Sequence, residues 1–109
     1  MPQQELFQDI TPQAARALMQ AHPEAVILDV RGPQEYRSRH IPGALNLPLE
    51  KLVEQAPTLL PNKDALLLVY CQIGVRSLRA SALLAGLGYR RVCHFGGIES
   101  WPYDTVSGR

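Results

Sequence analysis

The stretch "ALLLVYCQIGVRSLRASALLAGLG", residues 65–88, decides how this chain folds. Ala65 to Tyr70 is apolar without a break, the pattern of a strand covered on both faces in a parallel sheet. The chain must then reverse direction within Cys71 to Arg76, where Gly74 enters positive φ without strain. From about Ser77 onward the residues are helix-forming, and Gly88 closes the run as a left-handed cap.

Working outward, "ELFQDI" (residues 5–10) reads as an edge strand, and Thr11-Pro12 opens a helix, with Thr capping free amides and Pro in the first helical position. Ala15, Leu18 and Met19 give that helix its apolar face as far as about His22. "AVILDV" (25–30) is a second apolar strand, followed by a short helix around Glu35 to Ser38 and a turn, "HIPGALNLP" (40–48). "LEKLVEQ" (49–55) is amphipathic and helical, "RVCHF" (91–95) is the last strand, and "GGIESW" (96–101) opens a final short helix. Strands alternating with helices predict an α/β domain whose mainly parallel sheet carries helices on both faces.

A hydrophobic fraction of 46% with 19% charged residues is that of an ordinary globular chain, and 109 residues suit one core, so 1–109 reads as one domain. A net charge of +1 supplies no field to gather nucleic acid or a membrane surface; neither partner is expected, and any anion preference must be local. The start "MPQQELFQDI" has no basic, apolar leader pattern, and no apolar run approaches about 18 residues, so the expected setting is the reducing cytoplasm. The two cysteines, Cys71 and Cys93, lack His or Cys neighbours at ligand spacing, which argues against a metal site and a disulfide framework.

In open sheets of this kind, ligands bind beyond the carboxyl ends of the strands, where Cys71 stands. A curled loop running into a helix turns its amides inward, and these join the free donors of the helix end in an anion cradle. Such surroundings are where reactive cysteines are found. Arg76 is the loop's only cation and is placed to grip an oxyanion, while Ser77 is placed to donate its hydroxyl there or to cap the helix. With no histidine in the loop, the loop itself must activate the sulfur. Cys93 reads as a core residue; His40, Gly43 and Asn46 read as turn chemistry, and Trp101 as core packing or pocket rim. Asp29 and Arg31 read from the residues alone as part of a strand-end ion pair with Glu35.

The segment "CQIGVRS" resembles the C-x-x-G-x-R-S active-site loop of the rhodanese-like sulfurtransferases. "LDVR" (28–31), Glu35-Tyr36, "HIPGALNLP", "LLLVYC" (66–71), Gly88-Tyr89 and "GGIESW" follow the family's order and spacing over nearly the whole chain. The resemblance implies a rhodanese-like α/β domain with a sheet of about five strands and the reactive cysteine at its centre. It implies that Cys71 takes a sulfane sulfur from thiosulfate, a polysulfide or a persulfide donor, becomes a persulfide, and passes the sulfur to a thiophilic acceptor. That acceptor is cyanide in vitro and a thiol or protein in cells. Under the same resemblance Gln72, Ile73, Gly74, Val75, Arg76 and Ser77 form the persulfide loop, Asp29 and Arg31 brace the sheet beside it, and no metal or organic cofactor takes part.

Two features depart from the family. Arg39 stands where glycine often precedes the histidine, and the loop's uncharged Gln72, Ile73 and Val75 leave room for a less charged donor. Phosphatases and arsenate reductases of the same fold hold one residue more between cysteine and arginine, the wider ring a phosphate needs. The shorter spacing here, Gln72 to Val75, selects sulfur. A further alternative is a rhodanese module that binds partners without catalysis; such modules usually lack the cysteine that this chain keeps.

Overall fold

The structure, a computed structural model, describes residues 7–108. The apolar run of the sequence becomes β4 (Leu66–Cys71), buried along its whole length. It is flanked by β2 (Val26–Asp29), with Leu28 beside Val69, and by β5 (Arg91–Gly97), with Leu68 beside Cys93. Two short strands, β1 (Gln8–Asp9) and β3 (Leu45–Asn46), close the edges, so that the all-parallel sheet runs β1-β5-β4-β2-β3. Glu5 and Leu6 of the expected first strand lie outside the described residues.

Strand alternation divides the core. Leu28, Val30, Leu67, Val69, Cys71 and Val92 point to one face, under α3 (Leu52–Leu59) and α4 (Val75–Gly86). Leu66, Leu68, Tyr70, Cys93 and Phe95 point to the other, under α1 (Pro12–Ala21), Ile41 and Trp101. Leu28, Leu67, Leu68 and Leu84 are wholly buried, each worth about 1.5–3 kcal/mol of apolar transfer before entropy is counted. Among the described residues no helix is long and apolar enough to cross a membrane.

Local chemistry sets most helix ends. Thr11 caps α1 by accepting from the Ala14 amide at 3.0 Å, and Pro12 takes the first helical position. The short α2 (Pro33–Ser38) starts at Gly32, whose amide donates to the Glu35 carboxylate at 2.9 Å. Past α4, Gly88 adopts φ +100° and the Tyr89 amide returns to the Leu84 carbonyl at 3.1 Å.

Two elements differ from the sequence expectation. The helix expected from about Ser77 begins at Val75, because left-handed Gly74 (φ +110°) already serves as its amino-terminal cap and leaves a loop of only Gln72 to Gly74. Within the segment expected to be a turn, Leu45 and Asn46 instead form β3, paired with Leu28 and Asp29. That pairing is made with a distant strand, so no local pattern announces it.

Candidate active site

At the carboxyl end of β4 the ladder slips: Val69 pairs with His94, but Cys71 pairs with Gly97. This irregularity lets the chain leave the sheet at Cys71 and curl straight into α4. Three contacts then meet at the Cys71 sulfur. The Gly74 amide donates to it at 3.0 Å, the Ser77 amide at 3.2 Å, and the Ser77 hydroxyl oxygen lies 3.2 Å away. Sulfur therefore sits at the amino-terminal end of a helix, where free amides and the helix dipole favour negative charge. Cys71 itself is only 1% exposed.

Gly97 is what allows the loop to lie so close. A Cβ there would fall 2.2 Å from the Gln72 carbonyl oxygen and 2.6 Å from the Ile73 Cα, both backbone atoms that cannot swing aside. Gly97→Ala is expected to lower stability by about 1–3 kcal/mol or more, read as a lower thermal unfolding midpoint. An unchanged midpoint would show that the loop does not rest on β5 as described.

The other loop side chains are already engaged or face outward. Gln72 accepts from Arg31 at 3.1 Å and donates to Glu99 at 2.9 Å, while Ile73 and Val75 are about two-thirds exposed. Arg76 was expected to wait for an anion. Instead it clasps Glu35 of α2 by donating from both terminal guanidinium nitrogens, Nη1 and Nη2, at 2.8 and 2.9 Å. The first turn of α4 sets it facing the carboxylate that α2 presents, so the alternative ion pair of Arg31 with Glu35 is not made. Arg76 holds the Glu35 carboxyl well below the usual range, at about 2, against an opposing effect of burial.

A lowered carboxylate pKa contributes stability above the ordinary value of 4.5 and loses it as pH falls toward 2. The pair is more than a third exposed, so its worth is on the order of 1 kcal/mol or less. Thermal melts across that acid window are expected to fall less steeply for Glu35→Gln than for the parent protein. Parallel slopes would count against the clasp.

Comparison with known proteins now bears on this geometry. The rhodanese-like domain family matches residues 11–103. The chain belongs to that family. It is 36% identical over 107 residues to thiosulfate sulfurtransferase GlpE of Pseudomonas syringae, covering 94% of this chain and 97% of that one. It is also 36% identical over 81 residues to thiosulfate sulfurtransferase PspE of Escherichia coli K12, covering 74% and 78%. Among solved structures, a rhodanese with anions from E. coli superposes with a TM-score of 0.72 at 34% identity, over 77% of this chain and 99% of that one.

In this rhodanese-like domain Asp29 and Arg31 do not touch the sulfur. Asp29, fully buried, accepts from Arg31 Nη2 at 2.7 Å, from the Arg31 amide at 3.0 Å and from the Tyr70 hydroxyl at 2.7 Å. Burial pushes the Tyr70 hydroxyl pKa upward, and the Asp29 charge adds to the effect, so it stays a donor. Arg31 reaches on to the Arg39 carbonyl and to Gln72, linking the end of β2 to the loop. Asn46 fastens the same strand end by donating to the Asp29 and Arg31 carbonyls at 3.1 and 2.9 Å.

Elsewhere in the rhodanese-like domain, His40 is a satisfied turn histidine, stacked on Tyr36 with ring centroids 3.8 Å apart and bonded to the Tyr36 carbonyl at 2.8 Å. Trp101 packs against Phe95 and Tyr103 and donates to the Asp104 carbonyl. Burial raises the Cys93 thiol pKa, and Cys93 points to the sheet face opposite Cys71. One neighbour of the site went unnoticed in the sequence: His94, whose Nε2 lies 2.8 Å from the Ser77 hydroxyl oxygen. Its signal was available, since alternation in "RVCHF" sets His94 on the face of Val92 that Cys71 shares.

Proposed function

We propose that this protein is a sulfurtransferase that carries a sulfane sulfur as a persulfide on Cys71. The observation that carries the reading is the convergence of the Gly74 and Ser77 amides on the sulfur of a cysteine at a strand's carboxyl end. The similarity to relatives named thiosulfate sulfurtransferase supports it.

With thiosulfate as donor, the Cys71 thiolate attacks the outer sulfur. A new sulfur–sulfur bond forms to Cys71, and the old one breaks with its electron pair leaving on sulfite. Charge is conserved, and the negative charge ends on the outer persulfide sulfur, facing the helix amides. An acceptor thiolate or cyanide then takes that outer sulfur, and the bonding pair returns to Cys71. Sulfur carries the electrons throughout, so the cycle needs no metal or organic cofactor.

Because Cys71 is nearly covered, the donor must part the loop, where the exposed Ile73 and Val75 have little packing to lose. With Arg76 held by Glu35, donor charge is met by amides instead of a free guanidinium, which suits polysulfide and persulfide donors as well as thiosulfate. The acceptor in this reading is a small thiol or a thiol-bearing protein.

Mass spectrometry after incubation with thiosulfate or polysulfide tests the proposal. One added sulfur on the Cys71 peptide, removed by cyanide, is the expected result. Hydrolysis of aryl phosphates through Cys71 with no sulfur gained from any donor would overturn it in favour of a phosphatase. No reaction of either kind would leave a binding module.

A further inference from the structure

From the near-complete burial of Cys71, we infer that Ser77, His94 and Asp9 form a proton relay that takes the Cys71 proton from the buried sulfur through Ser77 to His94 Nε2, with the surface carboxylate of Asp9 holding the imidazolium so formed. The inference rests on reading Cys71 as the nucleophile and gives roles to two residues, His94 and Asp9, that lie outside the loop. Ser77, in the first turn of α4, sets its hydroxyl oxygen 3.2 Å from the Cys71 sulfur and 2.8 Å from His94 Nε2. The other ring nitrogen, Nδ1, lies 3.1 Å from an Asp9 carboxylate oxygen. His94 is 7% exposed and covered on its edge by Phe7, whereas the Asp9 side chain is 73% exposed. The chain thus starts at a sulfur that bulk water barely reaches and ends at a carboxylate in open solvent.

Both end states of the transfer find partners in this arrangement. Before it, the thiol donates to the Ser77 oxygen, Ser77 donates to Nε2 of a neutral imidazole, and Nδ1–H donates to Asp9. In the transfer the sulfur–hydrogen bond breaks, its pair stays on sulfur, the proton bonds to the Ser77 oxygen, and Ser77's own proton passes to Nε2. After it, Nε2–H has two acceptors, the Ser77 oxygen and the Gly74 carbonyl at 3.2 Å, while the Ser77 hydroxyl can donate to the sulfur or to the Gly96 carbonyl at 3.0 Å. One proton has moved and nothing else has changed. Among the described residues, the charged groups near the relay are Asp9 on β1, which faces the imidazole, and Arg76 on α4, whose charge acts on Cys71 although Glu35 holds it.

Ser77 touches the reacting sulfur; His94 and Asp9 act through it and are positioning residues. The same arrangement explains why Ser77 points inward when its amide alone would complete the sulfur's contacts. A serine oxygen within reach of Cys71, Gly96 and His94 is a junction, not merely a cap.

The test is the rate of Cys71 alkylation by iodoacetamide against pH, read on the Cys71 peptide by mass spectrometry in the full chain. Iodoacetamide is uncharged and needs no sulfur donor. For His94→Gln the rate near neutral pH is expected to fall by about tenfold or more and to converge with the parent rate in strong alkali, where hydroxide replaces the relay. Asp9→Asn should show a smaller loss with the same convergence. A His94→Gln protein that folds and alkylates like the parent at every pH overturns the relay. So does a loss that persists undiminished in alkali, which would mark a structural role. If His94→Gln does not fold, the exposed Asp9→Asn decides: a neutral-pH loss that alkali erases supports the relay, and a parental profile overturns it. Persulfide formation with a parental alkylation profile in the variants removes the relay alone, whereas a relay profile without persulfide removes the sulfurtransferase reading alone.

Discussion

Cys71→Ser is expected to abolish sulfur loading and leave the fold nearly untouched. The serine oxygen would occupy the place of the sulfur and still meet the Gly74 and Ser77 amides, so no buried donor is stranded. What is lost is some apolar contact in the core beneath α4, on the order of 1 kcal/mol. A neutral alcohol does not attack a sulfane sulfur. Turnover with thiosulfate and cyanide should therefore fall by about 10⁴-fold or more, the scale set by removing a covalent nucleophile. Thermal melts and the assay on one preparation separate the two effects. Retained turnover at a parental melting midpoint would mean that Cys71 does not carry the sulfur, and Cys93, deep on the opposite face, would have to be examined next.

Features dictated by local physics could be read directly from the sequence. The unbroken run Leu66 to Tyr70, the Thr11-Pro12 start, the left-handed Gly88 and the positive φ of Gly74 each follow from residues adjacent in the chain. The placement of Cys71 at a strand end followed from the same run. What escaped depends on segments far apart. Arg76 finds Glu35 across 41 positions with no sequence period to reveal the meeting, and Ser77 finds His94 across 17, where alternation in the last strand gives the face of the sheet but not the partner. Even β3 exists only because Leu45 and Asn46 find the exposed edge of β2. Sequence therefore located the candidate nucleophile, while the side chains that surround it emerged only once the sheet register was known. That register sets Val69, two residues before Cys71, beside His94.

Asp29→Ala inverts the Cys71 result, with the fold suffering first. Asp29 is fully buried, and Arg31 beside it is 2% exposed. Burial alone would weaken the Arg31 charge; the Asp29 carboxylate more than offsets this and keeps the guanidinium pKa above its ordinary value. Removing the carboxylate strands that charge, deprives the Tyr70 hydroxyl of its acceptor and empties a space at the end of β2. Breaking one side of a buried pair costs about 3–5 kcal/mol, a large part of the roughly 5–15 kcal/mol that holds a domain together. At about 4 °C or more per kcal/mol, the melting midpoint should drop by at least about 12 °C. Asp29→Asn retains an acceptor for Tyr70 and should lose less, whereas replacing Asp29 and Arg31 together with apolar residues of matching volume should recover much of the loss, because no charge is then left unpaired. If Asp29→Ala melts within a few degrees of the parent, water reaches Arg31 and the pair is not the buried brace described. The loss should also reach the site. Arg31 is the link to Gln72, so sulfur loading by Asp29→Ala should be slower even at temperatures where the variant remains folded.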